Sequence, residues 1–290
     1  MAFKKNDPPG KLIPGTIKKR GKSAMKKMYL LALTVTVAAL ILFNVSLYAS
    51  ATDDRIESSA KQSYVFKTYL KGDDIKIQSK DGVVSLTGTV SEEYHKTLAQ
   101  ETVTSLSGVK SVDNKLEVKA GAPAAQSDAW LITKVKTTLL FHRNVSATAT
   151  EILAQDGTVT LRGEAASAAQ RDLATEYAKD VEGVKKVNNE MTVPAAAMKP
   201  GEKTMGAMAA KMDAMGESID DASITALVKT ALLYHRSTSA VKTKVETNEG
   251  VVTLGGKAQN AAEKDLATKL VSDVHGVKSV KNQMTIEASK

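Results

Sequence analysis

Between residues 53 and 287 the apolar positions run through one succession of periods three times over. Leu131, Val135, Thr138 and Leu139 recur at i, i+4, i+7 and i+8, as do Ile224, Val228, Ala231 and Leu232, the spacing of one face of an α-helix. The first copy, with Ile56, Ala60, Ser63 and Tyr64, is weaker on that face. A period of two then takes over. Ile75, Ile77 and Ser79, then Asp81-Gly82, then Val84 and Leu86 predict two strands joined by a tight turn, and Asp156-Gly157 and Glu249-Gly250 hold the same place in the other copies. A second helical stretch buries Leu98, Thr102 and Leu106, or Leu173, Tyr177 and Val181, or Leu266, Leu270 and Val274. A last strand with Val112, Asn114, Leu116 and Val118 closes the copy.

The glycines keep the same register without a gap. Gly82, Gly88 and Gly108 lie 6 and 20 residues apart, and so do Gly157, Gly163 and Gly183, and Gly250, Gly256 and Gly276. Each third glycine is expected to end the second helix at its C′ position, where a left-handed residue is needed, and all nine are assigned to backbone geometry. Asn114, Asn189 and Asn282 follow six residues after the third glycine and are expected as satisfied amides rather than ligands. Ser167 with Gln170 and Asn260 with Glu263 predict capping boxes for the second helix, and Ser91 is the expected cap in the first copy.

These periods predict an α+β chain of three tandem α-β-β-α-β modules, at 53–119, 127–193 and 218–287. Each is a three-stranded sheet covered on one face by two helices, with its own small core and a polar outer face. Residues 120–127 form a short connection, and 194–217 a longer one rich in Met, Ala and Gly that lets the second and third modules reorient. Within it Met205, Met208, Met212 and Met215 fall at helical spacing, open to packing on the third module, to membrane or partner contact, or to a soft metal.

Charge changes the picture only once it is located. The formal net charge is +8, yet residues 1–28 hold nine of the 40 Lys/Arg and one of the 32 Asp/Glu, so everything after them is balanced. A neutral body lacks the field that drives nucleic-acid binding, and no nucleic-acid partner is expected. The basic head runs into the apolar stretch Tyr29–Phe43 and then Ala49-Ser50-Ala51, the order of an export signal cleaved after Ala51. An uncleaved inner-membrane anchor is the competing reading of residues 1–51. Either places the modules in the periplasm, because the positive flank stays inside. With no cysteine, the chain has neither disulfides nor a thiolate nucleophile.

The stretches from Lys80 to Gly88 and from Glu249 to Gly256, each followed twenty residues later by Gly-Val and an Asn-containing strand, resemble the BON domain. The resemblance implies an envelope module associated with phospholipid binding and osmotic or envelope stress, and an overall plan similar to osmotically inducible periplasmic proteins.

Few positions suit chemistry. His95, His142, His235 and His275 show no metal-ligand spacing, and no acid/base or nucleophile cluster stands out, so neither an enzyme, a metal nor a cofactor is expected. Leu140–Arg143 and Leu233–Arg236 both read Leu-aromatic-His-Arg at the end of the first helix, against Phe66-Lys67-Thr68 in copy one. His142, Arg143, His235 and Arg236 either complement the helix dipole or hold an acidic lipid head group. Trp130, the one tryptophan, is expected on a helix flank with Lys134 and Thr137, an amphipathic ring beside a lysine as bilayer interfaces favour. The resulting expectation is a non-enzymatic periplasmic binder of phospholipid surfaces, with envelope proteins as further partners. The alternative is a soluble protein-binding or chaperone-like scaffold.

Overall fold

Each copy folds as its alternation of periods dictates. The computed structural model describes residues 51–121, 123, 127–145, 147, 149–194, 219–238 and 243–287. Residues 1–50 of the expected leader, and 195–217 with the methionine stripe, lie outside the described residues. Module 1 comprises helical residues 51–62 (α1), α2 Tyr64–Thr68, β1 Asp74–Lys80, β2 Val83–Val90, α3 Glu93–Thr104 and β3 Ser111–Val118. Module 2 comprises α4 Asp128–Phe141, β4 Thr150–Gln155, β5 Thr158–Gly163, α5 Ala168–Lys179 and β6 Lys186–Asn189. Module 3 comprises α6 Asp221–Tyr234, β7 Thr243–Asn248, β8 Val251–Ala258, α7 Ala261–Ser272, β9 Ser279–Asn282 and β10 Thr285–Ile286. In every sheet the hairpin strands pair antiparallel and the strand after the second helix joins the second hairpin strand in parallel, so β2, β5 and β8 are central.

The hairpins turn on two residues of positive φ. Asp81, Asp156 and Glu249 have φ of 54, 51 and 51°, and the glycines after them 80, 83 and 78°, the pair of left-handed positions a type I′ turn requires. The acidic residue that opens the first helix fastens this turn. The Asp53 carboxylate accepts the Asp81 and Gly82 amides at 2.7 and 2.9 Å, and Asp221 accepts those of Glu249 and Gly250 at 2.7 and 2.8 Å.

Three asparagines tie the last strand to the second helix in the same way. Asn114, Asn189 and Asn282 each donate to the carbonyl of Lys96, Arg171 or Lys264, and each accepts the amide two residues on. They are fully employed inside their modules.

Three local expectations need correction. The third glycines are not the C′ residues of the second helices, whose C-caps are Ser105, Asp180 and Asp273; Gly108, Gly183 and Gly276 stand three residues further on, where their positive φ serves the turn into the last strand. Ser91 is not the N-cap of α3; Glu92 stands there without a side-chain cap bond, and the Ser91 hydroxyl donates instead to Asp73 at 2.7 Å. The first helix of module 1 breaks at Ser63, whose side chain caps α2 by accepting the Phe66 amide, so its apolar face is weak where the helix itself is interrupted. Ser167 and Asn260 do cap α5 and α7, while Gln170 and Glu263 reach one residue past the cap, to the Ala166 and Gln259 amides.

The cores are not three. Buried side chains of modules 1 and 3 form one continuous cluster, which also takes in Phe141 of module 2. The physical reason lies in α6, which is buried from Ser223 to Val228 and from Thr230 to Leu232 and so has apolar neighbours on two sides. Lys229 on α6 pairs with Glu101 on α3 at 2.8 Å. The first amides of α2, at Tyr64 and Val65, donate to Asp220 and Ser223 at 2.8 and 3.0 Å, so module 3 caps a helix of module 1. Module 2 keeps its own cluster, joined by Leu270 from module 3.

Candidate functional site

The residues singled out in the sequence divide between two places. His142 and His235 follow the last turns of α4 and α6, in extended backbone that ends each helix. Each of these short extended segments lies against the end of the partner module's second helix. His142 bridges Val274, and His235 bridges Val181. The flanking amides complete the match: Arg143 N–H donates to the Asp273 carbonyl and Arg236 N–H to the Asp180 carbonyl, both at 2.9 Å. The guanidinium groups follow suit, Arg143 donating to the Val277 carbonyl at 3.0 Å and Arg236 to that of Val184 at 3.4 Å. Every partner lies 93 residues from its counterpart, so modules 2 and 3 clasp each other through the same contacts made twice.

At the centre the two imidazoles meet, with Nε2 atoms 2.9 Å apart. One nitrogen must donate and the other accept, so the contact holds a single proton. His235 Nδ1 donates to Asp180 at 2.9 Å, and Asp180 also accepts from Ser237. Burial works against the Asp180 carboxylate, but these two hydrogen bonds together with the charges of His235 and Arg236 outweigh it and hold its pKa below the ordinary value. His142 stacks on the Tyr177 ring at 4.0 Å, and its Nδ1 has no hydrogen-bond partner, facing Asp273 at 3.6 Å. Burial, then the charges of His235 and His275, push the His142 pKa well below the ordinary value. Asp273 moves the other way, raised by burial against the hydrogen bonds of Tyr177 and Asn144.

His142 and His235 are 0% and 1% exposed, so neither imidazole meets solvent or a lipid head group while the clasp is closed. His235 spends its ring on module 2, through His142 and Asp180, and His142 divides its ring between Tyr177 of its own module and His235 of module 3. The clasp also holds together the two modules that the longer connection was expected to leave free.

Trp130 and Lys134 lie elsewhere. Ser127 caps α4 by accepting the Trp130 amide at 3.2 Å, which sets the indole in the first turn, half-buried against the module 2 core. The Lys134 ammonium stands 4.1 Å from the indole centroid and 5.7 Å from that of Tyr234, and pairs with the exposed Glu182 at 3.4 Å. Thr137, expected beside them, is buried instead. The flank thus offers an amphipathic ring and a cation at the surface, whereas the clasp offers an enclosed contact. Among the described residues no group of three or more His, Asp or Glu is placed to hold a metal ion.

Asp180 and Asp273 were not singled out in the sequence, although a signal existed. The copy that lacks the His-Arg pair, with Lys67-Thr68, also has Ser105 where the other two have aspartate. The residues of the clasp thus vary together among the copies.

The repeated geometry has a match among known proteins. The BON domain covers residues 52–120, 127–195 and 220–288. The chain belongs to the BON-domain family. Its BON modules are 32% identical over 157 residues to the osmotically inducible protein Y of Escherichia coli (strain K12), spanning 54% of this chain and 71% of that protein. Over 138 residues they are 30% identical to the outer membrane lipoprotein DolP of Haemophilus influenzae, spanning 47% of this chain and 71% of the lipoprotein. A 21 kDa hemolysin of Actinobacillus pleuropneumoniae is 31% identical over 115 residues, or 39% of this BON chain and 59% of the hemolysin. No helix among the described residues is long and apolar enough to cross a membrane.

Proposed function

We propose that this chain is a non-enzymatic periplasmic protein of osmotic and envelope stress that binds phospholipid membrane surfaces through its BON modules. The names of two relatives, one osmotically inducible and one an outer membrane lipoprotein, support the setting. The leader-like residues 1–51 support export. The observation that carries membrane contact is the Trp130 flank: a half-buried indole with the Lys134 ammonium 4.1 Å from its ring centroid. An indole prefers the head-group level of a bilayer, and the neighbouring ammonium adds attraction to anionic lipid.

The test is co-sedimentation of the full chain with vesicles of phosphatidylglycerol and phosphatidylcholine against phosphatidylcholine alone. Binding that needs the anionic lipid, falls with salt and weakens several-fold in Trp130→Ala at an unchanged melting temperature is the expected result. Retention indifferent to lipid charge and salt would overturn it in favour of a protein-binding scaffold.

A further inference from the structure

The three sheets expose equivalent outer faces, and these faces carry different charge. In module 1 the outward positions Lys76, Lys80 and Lys115 are balanced by Asp74, Asp113 and Glu117, with Lys115 and Asp113 paired at 2.6 Å. In module 2 Arg162 is paired with Glu190 at 2.7 Å, and Glu151 and Glu164 stand nearby on the same face. Module 3 inverts this. Lys244, Lys257 and Lys281 stand where module 2 has Glu151, Glu164 and Asn188, with Glu246 as the acidic residue on the strands that bear them. All three lysines are exposed, and none of them makes an ion pair among the described residues.

They surround a bare position. Gly255 lies directly opposite Lys244, two residues before Lys257 on the central strand, and diagonal to Lys281, which pairs with Thr253. Diagonal neighbours on one sheet face are about 7–8 Å apart, within reach of a lysine side chain. The fold does not require a glycine here. Modules 1 and 2 have Thr87 and Arg162 at this place, and a Cβ added at Gly255 meets only the Lys244 Cβ at 3.6 Å, an ordinary contact. By contrast, the neighbouring Gly256 has a positive φ of 101° and serves the backbone. What the missing side chain at Gly255 provides is a shallow recess in the middle of three cations.

We propose that this recess on the outer sheet face of module 3 seats the phosphate of an anionic phospholipid head group at a membrane surface. The three ammonium groups supply the charge, and the absent side chain lets the phosphate approach the sheet. The inference rests on the lipid-binding reading above and assigns it a second contact, separate from the Trp130 flank.

The same vesicle assay tests it with the full chain. Lys244→Gln, Lys257→Gln and Lys281→Gln together are expected to weaken binding to phosphatidylglycerol vesicles by roughly a hundredfold, at about 1 kcal/mol per lysine near an anionic surface. Gly255→Glu, which fills the recess with a carboxylate, is expected to do the same, with both variants melting as the wild type does. Glycerophosphate at millimolar concentration should not displace the vesicle-bound chain, because a single head group lacks the surface. Its displacing the chain would assign the recess to free phosphate esters and overturn the membrane assignment. Wild-type binding to vesicles with both variants within twofold of it would overturn the recess and leave the Trp130 reading standing. No vesicle binding by the wild type would overturn both.

Discussion

At the scale of single residues, structure separates glycines that the backbone requires from one that it does not. Gly88 and Gly163 have φ of 117 and 121°, and a Cβ at either would overlap a carbonyl oxygen, that of Asp74 on β1 or of Ala149 just before β4. Gly163→Ala is therefore expected to cost about 1–3 kcal/mol of backbone strain, read as a lower denaturation midpoint in urea. Gly255→Ala, in a strand where the added Cβ makes only an ordinary contact with Lys244, should leave that midpoint unchanged or raise it slightly. An equal loss in both variants would mean that Gly255 is a conformational glycine after all. The spacing of nine glycines was legible in the sequence because backbone geometry repeats with the fold. Gly255 escaped notice because it breaks the repeat rather than following it.

At the scale of elements, the segments after α4 and α6 and the ends of α5 and α7 form a contact with a built-in acid response. The groups facing one another there are His142, Arg143 and Asn144 after α4, Tyr177 and Asp180 from α5, His235, Arg236 and Ser237 after α6, and Asp273 and His275 after α7. The folded pKa of His142 lies below its unfolded value of about 6.5, so below that pH the unfolded chain binds more protons than the folded one. The stability is fully present above about pH 6.5 and is lost as pH falls toward the folded pKa. Asp273, its pKa raised by burial, acts in the opposite sense, since there the folded chain binds more protons than the unfolded one. The melting temperature of the wild type is thus expected to drop from pH 7 to 5, with a flatter profile in His142→Gln. Parallel profiles would place the acid response elsewhere. The helix-strand order of these elements could be read from hydrophobic periods alone, since each element buries one face locally. The clasp could not, because a helix end that docks on another module carries the same cationic signature as one that merely complements its own dipole.

At the scale of the whole molecule, the modules are bound in an order the chain does not suggest. Phe141 is fully buried outside its own module, edge-on to Tyr69 and Tyr94 of module 1 with ring centroids 5.9 Å away in each case. Phe141→Ala is expected to cost about 3–5 kcal/mol in chemical denaturation, whereas truncating the exposed Leu233 should change stability by less than about 0.5 kcal/mol. A small effect at Phe141 would show that module 2 packs loosely on module 1. Module number, the succession of helices and strands and the charge balance after residue 28 were all open to the sequence. The shared core was not, because a buried face on α6 has the same composition whether it meets its own sheet or a neighbour's helix.

That shared core has a consequence for synthesis, which proceeds from the N-terminus. The face of α3 that meets α6 becomes available more than a hundred residues before Asp221–Tyr234 has emerged to cover it. Until the C-terminal third arrives, the first module presents uncovered apolar surface, the condition in which nascent chains are most open to chaperone capture and aggregation.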